Sequence, residues 1–193
     1  VGSPLLYHVT SLALYMMGSL LVFALARRLL PVGPATLAAG LFAVHPVHVE
    51  TVASAVGQGE LLATGFALMA VTTYVDGVAR GLNSTRLAVI VGGFLLACLA
   101  HEQAVVLPLL MLAITPLVSS SRLAGARRED ASRALVALAA AAVAYLLVRH
   151  SVLGSLLGDT PHPAWDETPA SLRAMTMLAA VPLGLRLLLW PSH

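Results

Sequence analysis

Long apolar runs, each closed by a short polar or prolyl interruption, dominate this chain from end to end. A run that outlasts a strand and shows no alternation reads as helix, and one approaching ~20 residues is long enough to cross a bilayer. The first runs from about Leu6 to Ala26 and stops at Arg27-Arg28. The second, from about Ala35 to His45, follows Pro31 and Pro34, which suit a helix entrance. The third runs from about Leu61 to Val78, the fourth from Leu87 to Ala100 and the fifth from Ala104 to Val118. An alanine-rich sixth spans Ala134 to Leu147 and a seventh Ala174 to Trp190, the shorter ones implying tilt or re-entrance. The pattern predicts an all-α, polytopic transmembrane helix bundle, a single transmembrane unit over residues 1–193 with about seven membrane helices. No repeat and no soluble domain interrupt it.

Composition agrees: 59% of residues are hydrophobic and 10% charged, with mean hydropathy +0.89. A chain of that make-up has lipid as its solvent. Its eleven cations are all arginine. Arg27-Arg28, Arg80 with Arg86, and Arg122, Arg127, Arg128 and Arg133 occupy every second connection, as the positive-inside rule requires of cytoplasmic loops, and do not form a nucleic-acid surface. The polar link Ser119 to Ser132 belongs to that side. Glu50, Glu60, His101, Glu102, Asp159, His162, Asp166 and Glu167 collect in the other connections, which then face outward. Cys98, the single cysteine, reads as a small packing residue. The chain opens at Val1 without a methionine or a recognisable leader and ends shortly after Trp190-Pro191, so it reads as a piece of a longer protein.

The stretch His45-Pro46-Val47-His48-Val49-Glu50 carries the densest chemistry, two imidazoles and a carboxylate at the mouth of an apolar segment. Ionisable groups at membrane depth are functional candidates by default. If a helix re-forms from about Val47, Glu50, Ser54 and Gly57 share one face and could line a cavity. The competing account has both rings as interfacial residues reaching water, with Glu50 merely solvated. A zinc reading of His-x-x-His-x-Glu lacks the helical His-Glu-x-x-His spacing, so no metal and no cofactor is expected. Glu102, at the corner after His101, either joins a site or favours the N-terminus of the fifth run through the helix dipole. Trp165 and Asp166, in the 153–172 loop, are minor candidates beside the plain reading of an interfacial tryptophan.

Three blocks in order carry a family resemblance: LFAVHPVHVETVASAVGQGELLATGFALMA (41 to 70), AHEQAVVLPLLML (100 to 112), and Arg173 with Thr176 leading to LRLLLWP (185 to 191). They resemble the polytopic GT-C glycosyltransferases known as transmembrane O-mannosyltransferases with tetratricopeptide repeats, and their bacterial relatives. The family pattern reads approximately HPVHxEAVAWVxGRxDLL, then SKE before a leucine-proline run, then RxxT and LLxP. The YHVTSLALY opening (7 to 15) is also similar to the helix after the family's first outer loop.

The resemblance implies inverting transfer of a sugar, typically mannose, from a polyprenyl-phosphate donor to a Ser/Thr hydroxyl of a protein acceptor. It places this at the outer face of a membrane, for a bacterial relative the inner membrane with the active face periplasmic or extracellular. It also implies catalytic acids in the first outer loop, upstream of Val1, and repeats beyond the membrane part. Carried onto this sequence, His45, His48, Glu50, Glu60, His101 and Glu102 are the substrate-binding candidates, with Arg173 as phosphate partner because a guanidinium fork fits phosphate oxygens. Glu50→Gln is then expected to abolish transfer. The chain departs from the pattern at Gln58, where the family has arginine, at His101, where it has lysine, at Ser54 for a tryptophan and at Gly184 for a tyrosine. Two fixed cations are thereby lost. A secondary transporter, or a non-catalytic membrane protein, is the alternative; it calls for ionisable groups near the midplane and paired broken helices.

Overall fold

The computed structural model describes residues 4–54, 56–120, 128–154 and 168–189. The helices are α1 (Pro4–Leu29), α2 (Val32–Val44), the short α3 (Val49–Ala53), α4 (Gln58–Arg80), α5 (Ser84–Ala100), α6 (Leu107–Ser120), α7 (Arg128–Leu153) and α8 (Ala170–Leu189). Tight 3-10 turns, Pro46–His48 and Glu102–Val106, lead into α3 and α6. No strand occurs among the described residues. Two compact units are present, Val1–Leu146 and Leu147–His193. α8 belongs to the second.

α1, α4, α7 and residues 171–188 of α8 are long and apolar enough to cross a membrane; α5 and α6 are shorter apolar helices. α2 and the Pro46–Ala53 segment meet at a 45° bend. The bend has a local cause. Pro46 disfavours helical geometry in the residue before it, and His45 accordingly turns out to φ −71°, ψ 126°. At the end of α4 the chain reverses through Gly81 at φ 100°, a left-handed conformation that costs glycine little. Asn83 then opens α5, its side-chain oxygen accepting the Arg86 N–H at 2.8 Å.

α4 is the hub of the first unit and packs against α1, α5 and α6. Its Ala70, Tyr74, Val75 and Val78 join Ile90, Phe94 and Cys98 of α5, Met111 and Val118 of α6, and Ala134 and Leu138 of α7 in one buried cluster. Small residues set the spacing: a methyl group on Gly93 would meet the Ala70 Cβ and the Phe66 carbonyl oxygen at 3.2 Å. Thr115 gives its one hydroxyl proton to the Met111 carbonyl (2.7 Å). The Tyr74 hydroxyl, 2.6 Å from Thr115 Oγ1, must therefore be the donor there, which satisfies a buried phenol inside the apolar core.

Arg28, Arg80 and Arg133, one from each arginine cluster, meet two acids that the sequence did not single out at one end of the unit. Asp76 of α4 accepts from Arg28 of α1 through Nε (3.0 Å) and Nη2 (2.9 Å), with Arg80 Nε 3.8 Å away. Asp130, 5% exposed, accepts the Leu82 N–H at 3.3 Å, and Arg133 lies 3.8 Å from its other oxygen. Asp130 also corrects a boundary. The expected polar link to Ser132 is already helical from Arg128, because Glu129 and Asp130 occupy a first turn where the helix dipole favours acids.

Candidate functional site

His45 and His48, Glu60, and His101 with Glu102 lie at the opposite end of the first unit, just after α2, in the first turn of α4 and in the connection after α5. They do not form one cluster. His45 and His48 line one cavity and Glu60 and His101 another, with the five-residue helix α3 between them, while Glu102 lines neither.

The first cavity, about 440 Å³, is lined by His8, Leu12 and Tyr15 of α1, Ala43 and Val44 of α2, His45, His48, and Val49, Val52 and Ala53 of α3. The His48 ring packs on Phe42 (centroids 4.4 Å apart) and Tyr15 (5.4 Å), with the His45 ring 6.2 Å away. The Tyr15 hydroxyl donates to the Phe42 carbonyl at 3.0 Å and ties α1 to α2 beneath the histidines. His45 Nδ1 accepts the Val47 N–H at 3.2 Å, which caps the 3-10 turn and leaves Nε2 to carry the proton of the neutral ring. Burial lowers the His48 pKa from its ordinary value, and the charge of His45 lowers it further.

The second cavity, about 290 Å³ and more polar, is lined by Glu60, Ala63, Thr64 and Ala67 of α4 and by His101, Gln103 and Ala104. Glu60 Oε2 accepts from the Thr51 hydroxyl of α3 at 3.0 Å, and Oε1 stands 3.8 Å from His101 Nε2. His101 therefore faces Glu60 from the next helix pair. Val49, Val52 and Ala53 of α3 thus face one cavity while Thr51 holds the carboxylate of the other.

Two close approaches fix this partition. The chain re-enters α4 at Gly57, where any Cβ would fall on the Thr51 carbonyl group, far inside contact distance. At Gly59 a Cβ would stand 2.9 Å from the Ala100 carbonyl oxygen, so glycine lets the start of α4 meet the end of α5. Gln58, between them, donates to the Tyr7 carbonyl (3.1 Å) and to Ser11 Oγ (3.2 Å), and Ser11 is 1% exposed. Where the resembled family carries a cation, this chain uses an amide to fasten α1 to α4.

The expected single face of Glu50, Ser54 and Gly57 does not form. α3 stops at Ala53 and Ser54 turns extended (φ −88°, ψ 135°), since the Thr51–Gly57 contact needs a reversal there. Glu50 sits exposed in the first turn of α3 and lines neither cavity. Glu102 opens the Glu102–Val106 turn and is exposed. Arg173, in the second unit, donates Nε to the Thr168 carbonyl at 2.8 Å in the first turn of α8, with Thr176 one turn on. Trp165 and Asp166 lie outside the described residues. No group of three metal-ligating side chains occurs among the described residues. Sequence reasoning missed His8, Tyr15, Phe42 and Thr51. His8, Leu12 and Tyr15 do share one helical face, a weak signal that gains meaning only when α2 lies beside it.

Among known proteins, the chain is similar to protein O-mannosyl-transferase Tmtc1 of Drosophila melanogaster, 29% identical over 210 residues that cover 99% of this chain and 24% of that protein. Mouse protein O-mannosyl-transferase TMTC3 is 31% identical over 104 residues, covering 53% of this chain and 11% of the relative. Caenorhabditis elegans protein O-mannosyl-transferase F38B6.6 is 34% identical over 105 residues, covering 52% and 14%. The chain thus spans a quarter or less of the length of these relatives. No family model matches it, and no solved structure does.

Proposed function

We propose that this chain is part of the membrane portion of a GT-C-type protein O-mannosyltransferase. It moves mannose from a polyprenyl-phosphate donor to a Ser/Thr hydroxyl of a protein acceptor at the outer face of a membrane, in a bacterial cell the periplasmic face of the inner membrane. One observation carries the reading: the imidazoles and the Glu60 carboxylate gather around cavities at one end of the bundle, while the arginine–aspartate clusters hold the other. A lipid-linked transfer needs its polar groups at one interface, where donor headgroup and acceptor meet; a transporter needs them near the midplane. The relatives named O-mannosyl-transferases support the same reading.

In this reaction the acceptor hydroxyl oxygen bonds to the sugar's anomeric carbon as the bond from that carbon to the phosphate oxygen breaks. The hydroxyl proton passes to a carboxylate, and the charge leaves on the lipid phosphate. Glu60, positioned by Thr51 and facing His101, hydrogen-bonds the incoming hydroxyl. The proton acceptor itself belongs to a further outer loop of the full-length protein, as the resembled family implies. Neither a metal nor another cofactor takes part.

The test is transfer of radiolabelled mannose from polyprenyl-phosphate mannose to a Ser/Thr-rich peptide by the full-length protein in liposomes. Transfer that falls about tenfold or more in Glu60→Gln, with the protein still inserted and monodisperse, supports the reading. An inserted wild-type protein that transfers no sugar from any polyprenyl-phosphate donor overturns it.

A further inference from the structure

The histidine cavity does not end at Tyr15. Leu12, Tyr15 and Ala43 are shared with a larger groove of about 640 Å³ that continues between α1 and α2, lined also by Met16, Ser19, Leu20, Phe23, Thr36, Ala39 and Gly40. On α1 the lining positions from Leu12 to Phe23 recur at helical spacing and extend over about 16 Å of helix. On α2 the facing residues are small: a Cβ on Gly40 would meet nothing within 4 Å. The outer rim is apolar and open, Leu12 being 53% and Leu20 67% exposed. A narrow apolar slot, open along its side and closed at one end by imidazoles, has the form of a seat for one chain of an amphiphile, tail in the slot and head at the histidines.

The charges choose the head. Among the described residues no carboxylate lines the groove or the histidine cavity; Glu60 lies beyond α3 in the other cavity. His8, His45 and His48 supply ring N–H donors, which suits an anionic head, whereas Glu60 opposes an anion and suits a neutral hydroxyl. We propose that the α1–α2 groove seats the hydrocarbon chain of a polyprenyl phosphate, with the phosphate among His8, His45 and His48. The small residues of α2 leave width for the methyl branches of an isoprenoid. α3 then separates the lipid phosphate from the acceptor side, and the sugar reaches around it. This inference rests on the transferase reading for the identity of the lipid.

The experiment uses the full-length protein and a polyprenyl phosphate bearing a photoreactive diazirine in its chain. Irradiation should label peptides from Leu12–Phe23 and Thr36–Ala43, and Gly40→Leu or Ala43→Leu should cut that labelling about tenfold. Both substitutions place bulk in open groove space, and an unchanged elution profile and helix content show that the fold is kept. Unlabelled polyprenyl phosphate should compete about tenfold better than the polyprenol without phosphate, an advantage lost in His45→Ala/His48→Ala. Labelling confined to other helices, or equal competition by phosphatidylglycerol, overturns the inference. Groove labelling by a protein that transfers no sugar would leave this inference standing and remove the transferase. Full transfer by Gly40→Leu with an unchanged donor KM would do the reverse.

Discussion

His101 Nε2 stands 3.8 Å from Glu60 Oε1, on the opposite side of the carboxylate from the Thr51 hydroxyl that donates to Oε2 at 3.0 Å. Three elements, α3, α4 and the turn after α5, thus converge on one carboxylate at the rim of a polar cavity. Glu50, ten residues earlier in the most conspicuous motif, has no such surroundings. The two acids should therefore separate in an assay. Glu60→Gln should lower transfer about tenfold to a hundredfold, the worth of a hydrogen bond to a charged group, and Glu50→Gln by less than about twofold. Steady-state rates of the two inserted variants decide it, and equal losses would return Glu50 to the site.

At the other end, Asp76 joins α1 to α4 by accepting two N–H groups from Arg28. Arg28 is 30% and Asp76 19% exposed, so solvent screens the pair in part and Asp76→Ala should cost about 1 kcal/mol. Thermal unfolding in detergent should show the loss, and the gap between wild type and variant should shrink as salt is raised.

Gly57 is confined by backbone, which cannot swing away as a flexible side chain would. Its φ of −65° suits any residue, so the objection to a side chain is steric alone. Gly57→Ala should push α3 from the start of α4, at a cost of about 1–3 kcal/mol, and impair both cavities together. Gly40→Ala, in open space, is the control and should leave unfolding unchanged or slightly stabilised. A Gly57→Ala protein as stable and as active as wild type would refute the packing.

Because the folded-state pKa of His48 lies below its ordinary 6.5, its contribution to stability is fully present above pH 6.5. As pH falls through 6.5 toward the folded value, the unfolded chain takes up the proton first, and stability is lost. His48→Phe keeps a ring against Phe42 and Tyr15 and removes the titration. The variant's melting temperature should fall less between pH 7.5 and about 5.5 than the wild type's. Identical slopes would show that the ring titrates without penalty.

The apolar runs, the proline-marked break after His45 and the arginine-bearing connections were legible in the sequence because each depends on local properties: run length, a missing N–H, a charge unable to enter lipid. They fixed an all-helical membrane bundle and sorted most of its candidate groups to one end. The sequence could not tell Glu50 from Glu60, nor show that Thr51 would hold one of them, since that follows from where α3 stops. It overlooked Asp76 and Asp130 because an acid inside a helix gains its role from a neighbour 48 residues away. It gave His8 and Tyr15 no meaning, because a groove exists only when two helices lie side by side. Periodicity and polarity act within a few residues and decided the elements. The division of the polar end into a histidine cavity and a glutamate cavity came from packing between distant segments, at glycines whose missing side chains let backbones meet.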